Sequence, residues 1–239
     1  MGKRIRVQRR GRGSTTWRAS THKRIAPSKY PNPAKILDGV VSGRVKQLLH
    51  DSGRGAPLAC IELETGETFY SVAPEGIYEG QILEIGKRAD VKVGNVLPIG
   101  EIPEGTMVCN IELSPGDGGK LVRSSGGYAT VVSHTPEGTL VKLPSGKTRY
   151  INNLCLATVG VVSAAGRTEK PFMKAGAKFH WMKAKGHKYP RTRGRAMIAA
   201  VHPFGSGRRG GRKVTTVSRN APPGRKVGLI AARRTGKKK

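Results

Sequence analysis

Three stretches of this 239-residue chain hold residues whose types and spacing could do chemistry. The first is Gly116-Asp117-Gly118-Gly119-Lys120. A nucleotide-binding phosphate loop needs a glycine five residues before its Gly-Lys pair and Ser or Thr after the lysine. Here those places hold Ser114 and Leu121, so the motif reads as a flexible loop whose amides and Lys120 can meet backbone phosphates, or as an interdomain turn. The second is His180-Trp181 with His187, seven positions on and among lysines. A zinc site wants Cys or carboxylate partners at short spacing, and none is near. The third is His202-Pro203-Phe204-Gly205-Ser206-Gly207. No acid follows Glu169, so no Ser/His/Asp arrangement can be assembled from neighbours. Cys60, Cys109 and Cys155 are an odd number at wide spacing. They give no disulfide framework and no metal knuckle, and fit buried free thiols in a reducing cytosol.

What positions these residues is a chain of very uneven charge. Its formal net charge is +29, from 44 Lys and Arg against 15 Asp and Glu. Residues 1–35 carry 11 basic residues and no acid, 36–115 carry 6 basic residues and 12 acids, and 116–239 carry 27 basic residues and 3 acids. A surface built for solubility mixes signs. Two one-signed arms on one chain repel themselves until a polyanion neutralises them, which points to nucleic acid. No apolar run approaches the roughly 18 residues of a membrane span, and no apolar stretch follows the basic start as in a secretory signal.

In that setting the candidate residues change meaning. His180 and His187 suit stacking or hydrogen bonding to nucleic acid, and the His202 segment suits a glycine-rich turn packed against RNA. Arg208-Arg209-Gly210-Gly211-Arg212-Lys213 is an arginine–glycine run whose guanidinium planes stack on bases and fork onto phosphates. Trp17, Tyr30, Trp181, Tyr189 and Phe204 lie within basic runs, as aromatics that stack on unpaired bases do. Trp181 and Tyr189 suit capping of a barrel equally well.

The elements between the arms read as strands. Val40-Val41 with Val45, Leu58–Leu63, Thr68–Val72, Gln81–Ile85 and Thr106–Leu113 are short apolar or alternating runs, punctuated by Pro and Gly. Five such runs in about 80 residues suggest a small barrel. Tyr128–Ser133, Thr139–Leu143, Thr148–Ile151 and Ala157–Val162 suggest a second small barrel or meander. Residues 171–190 have room for one or two helical turns between Gly176, Gly186 and Pro190. Residues 191–239 hold too few apolar groups to offset ordering entropy, so that tail is expected to lack a core and to be ordered by its partner.

The run Gly116–Ala129, with Val141–Gly146, Lys174-Ala175-Gly176, His180, Pro190-Arg191, Arg193-Gly194, His202–Gly205 and Asn220–Gly228, resembles the universal large-subunit ribosomal protein two family. The opening Met1–Arg6 with Gln8–Gly11, and the close Ala232–Gly236, resemble its archaeal and eukaryotic branch. The resemblance runs nearly end to end. It implies a mainly β protein: an OB-fold barrel over 36–115 and an SH3-like barrel over 116–190, between a basic RNA-binding arm at 1–35 and a basic, Gly/Pro-rich extension at 191–239. It implies a non-enzymatic constituent of the large ribosomal subunit in the cytoplasm. Its expected partners are ribosomal RNA, other ribosomal proteins and, through an intersubunit contact, the small subunit, with no membrane. Its expected roles are in assembly, subunit association and support of the RNA around the peptidyl-transferase centre. No cofactor is expected beyond magnesium associated with the RNA.

The expected RNA contacts are Arg4, Arg6, Arg9, Arg10, Arg12, Trp17, Lys23 and Arg24 in the arm, and Lys120 and Arg123 at the junction. Between there and the tail they are Lys174, Lys178, His180, Lys183, Lys185 and Lys188. In the tail they are Arg191, Arg193, Arg195, His202, Phe204, Arg208, Arg209, Arg212, Lys213, Arg219, Arg225, Lys226, Arg233 and Arg234. The family segment before His-Pro usually reads Met-Asn-Pro-Val-Asp, whereas this chain has Met197–Val201, with Val201 in place of the acid. His202 is therefore expected to act without a carboxylate partner. Three other readings fit a basic chain: an enzyme using His202, a transient translation factor, and a DNA-compacting protein.

Overall fold

A computed structural model describes residues 3–31, 39–205 and 215–234. Arg208, Arg209, Arg212 and Lys213 lie outside the described residues, as do the arginine–glycine run and the boundary at 35/36. The described chain divides into two compact units, residues 21–172 and residues 1–20 with 173–239.

The first unit is a ten-stranded sheet in the order β3-β2-β1-β4-β5-β10-β6-β7-β8-β9. Its first five strands are β1 (Val40–Leu49), β2 (Leu58–Leu63), β3 (Thr68–Val72), β4 (Ile82–Gly86) and β5 (Val96–Pro98). The others are β6 (Met107–Cys109), β7 (Ala129–Thr135), β8 (Gly138–Lys142), β9 (Thr148–Ile151) and β10 (Leu156–Val159). The expected β runs all form strands. The run at 106–113 is cut to three residues because Asn110 turns left-handed at φ 48. β5 is an addition to the expected set: its three residues are too few for a period to show.

β1 pairs with β4 through its first half and with β2 through its second, with a register shift between Val45 and Gln47. Gly43 sits where the two pairings meet. A Cβ there would lie 2.9 Å from Ile61 Cγ2, so the crossing needs glycine.

Two main cores result, one per barrel-type module, beside a smaller cluster of Ala56, Val72, Cys109 and Val162. Val45, Ile61, Phe69, Leu83 and Ile85 build the first, and Val108, Ile111, Val131, Val141, Ile151 and Ala157 the second. β10 joins them, pairing with β5 on one side and β6 on the other. All three cysteines are buried and unpaired, and burial pushes the Cys109 and Cys155 thiols up to about 12.

The second unit has little core. Its one buried apolar side chain among the described residues is Val227. It holds α1 (Arg6–Gly11), α2 (Ala175–Ala184) and a two-residue parallel pair, β11 (Thr216–Val217) with β12 (Leu229–Ile230). The ten residues of α2 exceed the expected one or two turns. Gly186 ends this helix rather than preventing it. At φ 69, its N–H donates to Lys183 O while His187 N–H donates to Met182 O, the paired bonds of a glycine C-terminal cap. Gly176 falls in the first turn, where its cost is small. No side chain of α2 is buried, so the helix has no apolar face to pack.

Candidate nucleic-acid interface

The junction loop is held from beneath by two acids. Glu112, 1 % exposed, accepts Gly118 N–H at 2.8 Å on Oε1, and Gly116 N–H at 3.2 Å and Leu156 N–H at 3.0 Å on Oε2. Asp117 accepts the N–H groups of Leu113, Ser114 and Gly119 at 3.0–3.2 Å and faces Lys120 Nζ at 3.3 Å. Partial burial works against ionisation of Asp117, but these backbone donors and Lys120 outweigh it and hold its carboxyl below the usual carboxylate range. The backbone amides are thus largely spent inside the protein, and Lys120, with 59 % of its side chain exposed, is what the loop presents outward. Nothing in the sequence pattern marks Glu112. Its place in an alternating run suggests a surface acid.

Arg123 sits at the same junction but is turned inward. It donates from Nη1 to Gly119 O at 2.8 Å and from Nη2 to Ser28 O at 2.9 Å, tying the later part of the arm to the loop. Tyr30, read from sequence as a stacking aromatic, belongs to the core instead. Its hydroxyl donates to Asn110 O at 2.7 Å and lies 2.6 Å from Thr158 Oγ1. The buried ring and its two polar contacts explain the correction, since a phenol can fill a core when its hydroxyl finds a partner. Lys23 and Arg24 lie exposed on the same unit, with Arg24 Nε 2.6 Å from where a Cβ on Gly53 would stand.

The second unit gathers most of the remaining expected residues. Arg6 Nη2 donates to Thr192 O at 3.2 Å and Lys3 N–H to Ala200 O at 2.7 Å, so the arm and the extension meet. Gly186 makes this approach possible. A Cβ on it would stand 2.8 Å from Trp17 O and 2.9 Å from Ala19 N.

A cleft of about 710 Å³ opens along this seam, with Arg4, Arg6, Arg9, Arg12, Lys188, Trp17 and His202 on its walls and no acid among its lining residues. A second, of about 850 Å³, is lined by Arg6, Arg191, Arg193, Arg195, His202, Phe204 and Lys226, again without an acid. Arg225 lines a third cleft beside Phe204, and Arg10 a smaller one beside Trp17. Clefts with walls of one sign focus field and raise the local concentration of the opposite charge. Lys174, Lys178, His180, Lys183 and Lys185 line α2 and its ends, with Lys178 Nζ 5.4 Å from the Tyr189 ring centre and Lys185 Nζ 3.8 Å from that of Trp181. Arg219, Arg233 and Arg234 are exposed.

His202 is oriented without a carboxylate. Phe204 N–H donates to its Nδ1 at 3.1 Å, and the two rings are tilted at 5.1 Å. Burial first, and then the nearby Arg6 charge, lower its pKa, which favours the neutral ring, and the bond accepted at Nδ1 suits the form that carries hydrogen on Nε2. Gly194 lies directly against it: a Cβ there would meet Cε1 at 2.5 Å and Nδ1 at 2.6 Å. A ring pinned by a backbone amide, among arginines, is placed to hydrogen-bond or stack. No group of three or more His, Cys, Asp or Glu able to hold a metal occurs among the described residues.

Comparison with known proteins gives the same arrangement a lineage. Residues 4–85 match the model of the ribosomal proteins L2 RNA-binding N-terminal domain, and residues 92–226 match that of the L2 C-terminal domain. The chain belongs to the ribosomal protein L2 family. Large ribosomal subunit protein uL2 of Methanocaldococcus jannaschii is 54 % identical over 242 residues, covering all of both chains. The uL2 of Korarchaeum cryptofilum is 52 % identical over all of this chain and 97 % of its own length. That of Haloarcula marismortui is 50 % identical over 99 % and 98 %. The two L2 domains meet between residues 85 and 92, after β4, whereas the sheet runs on through β5 into the second core.

Proposed function

We propose that this chain is a structural constituent of the large ribosomal subunit that binds ribosomal RNA through its arm and extension, without enzymatic activity of its own. One observation carries this reading: in a member of the L2 family, the arm and extension join along clefts walled by Arg and Lys and free of acids. Each phosphate neutralised there releases counterions and removes repulsion that opposes RNA compaction. The strand-built unit supplies the rigid frame, and its acidic 36–115 stretch is the part least suited to RNA. Support of assembly, of the RNA around the peptidyl-transferase centre, and of small-subunit association would follow from that placement, in cytoplasmic ribosomes beside other ribosomal proteins. Magnesium in such a setting is held by the RNA.

Sedimentation of a cell extract through high salt, with mass spectrometry of the large-subunit peak, tests this. An integral constituent stays at about one copy per particle, since many phosphate contacts act together. Release into the supernatant would overturn the reading in favour of a transient factor or a general nucleic-acid binder.

A further inference from the structure

We propose that the small cleft between α1 and the segment after α2 is a receptor for a single extruded guanine base. This rests on the RNA-binding reading and deepens it. The cleft encloses about 270 Å³, at or below the low end of small-molecule sites, which run about 300–1,000 Å³, so it suits one planar heterocycle. Its walls differ from those of the larger clefts. Val7, Trp17, Met182 and Tyr189 give it apolar and aromatic surface, while Arg10 and Arg191 stand among its charged lining.

Three features prepare it for a base rather than a phosphate alone. The Tyr189 ring already carries Lys178 Nζ 5.4 Å from its centre, an electrostatic arrangement that leaves the aromatic unit fixed for stacking. Trp17 is anchored through its backbone, which Gly186 approaches closely, and through its backbone N–H, which donates to Ser14 O at 2.8 Å. Among the described residues, the guanidinium groups of Arg10 and Arg191 make no hydrogen bond or ion pair, so their donors are uncommitted.

The choice of base follows from those donors. No acid lines the cleft, so its charged groups offer hydrogen atoms and seek acceptors. Guanine presents two adjacent acceptors, O6 and N7, on one edge, and an arginine fork fits them together. Adenine and cytosine each place an amino donor on the corresponding edge and would face the arginines with like polarity, while uracil offers the single acceptor O4 there, too few for a fork.

The test uses the full chain and three hairpin RNAs of one stem sequence: unbulged, with one bulged guanine, and with one bulged adenine. Binding is followed by fluorescence anisotropy at fixed salt. The expected result is tighter binding of the guanine-bulged hairpin than the unbulged one by about fivefold or more, the effect of one stacked base. Binding of the adenine-bulged hairpin is expected between the two. The variant with Trp17→Ala and Tyr189→Ala should bind all three alike, at the affinity of the unbulged stem. The milder Arg10→Gln with Arg191→Gln, which leaves every apolar wall in place, should keep a preference for a bulge but lose the choice of guanine. Equal affinity of the unaltered chain for all three hairpins overturns the guanine receptor while leaving RNA binding intact. So does a guanine preference that survives in both variants. Failure to bind any hairpin overturns the RNA-binding reading together with this one.

Discussion

Glu112 and Leu156 clasp each other twice: Leu156 N–H donates to the Glu112 carboxylate at 3.0 Å, and Glu112 N–H donates to Leu156 O at 2.9 Å. The carboxylate thus joins β10, which unites the two cores, to the junction loop that it also holds through Gly116 and Gly118. Glu112→Gln turns an amide NH2 toward at least one of these buried N–H donors. An unsatisfied buried group costs about 1–3 kcal/mol. Urea denaturation followed by circular dichroism should show a destabilisation of that size for Glu112→Gln, and more for Glu112→Ala. An unchanged midpoint would mean that water replaces the carboxylate.

Tyr30 and Trp17 should behave oppositely. Tyr30→Ala empties a core position, at about 3–5 kcal/mol, and Tyr30→Phe costs about 1 kcal/mol for the missing hydrogen bond. Trp17→Ala should leave thermal unfolding of the β unit nearly unchanged while weakening binding of the guanine-bulged hairpin by at least severalfold. Parallel thermal melts and filter binding separate the two, and weakened RNA affinity in Tyr30→Phe at full stability would contradict the core assignment.

The arginine cleft sets a salt dependence. Neutralising Arg4, Arg9 and Arg12 to Gln should flatten the plot of log affinity against log salt by about 0.7–0.9 for each phosphate that is no longer neutralised. The same change at exposed Arg88 of the β unit should leave the slope unaltered.

His202 titrates downward because it is partly buried and stands near Arg6. A histidine whose folded pKa lies below its unfolded value, about 6.5, stabilises the fold fully only above that value. Its contribution disappears as pH falls through the window beneath 6.5, where the unfolded chain takes up the proton first. Chemical-shift titration of the His202 ring should give a midpoint below 6.5, and Arg6→Gln should move it upward. A midpoint at or above 6.5 in the unaltered chain would contradict the partly buried, neutral ring.

Gly194→Ala tests how tightly that ring is seated. The added methyl overlaps the imidazole and should break the hydrogen bond from Phe204 N–H to Nδ1. The extension should become more sensitive to protease, with the β unit untouched, as limited proteolysis with mass spectrometry would read.

Much of this is legible in the sequence because strand periodicity and charge segregation are local properties. β2, β3, β8 and β9 each announce themselves by composition and a nearby turn. Glu112, Arg123 and Tyr30 do not, because their partners are 44, 95 and 80 residues away and no spacing rule reaches that far. Sequence assigns Tyr30 and Trp17 the same role, since both are aromatics among cations. Only burial separates them. The full length of α2 is hidden because Gly186 reads as a breaker, when a left-handed glycine just past the last turn is how such a helix ends.

The pairing of Arg6 with Thr192 spans 186 residues, which has a consequence in time. At about 5–20 residues per second of synthesis, Thr192 is made roughly 10–40 s after Arg6. Throughout that interval the newborn arm is a bare polycation without its seat, inside a cell full of RNA. The β unit is meanwhile complete in sequence and free to fold. The arm is therefore made well before the segment that seats it. Slowing elongation across 21–172 should lengthen the exposure of the arm, and early capture of the nascent arm by an escort would shorten it.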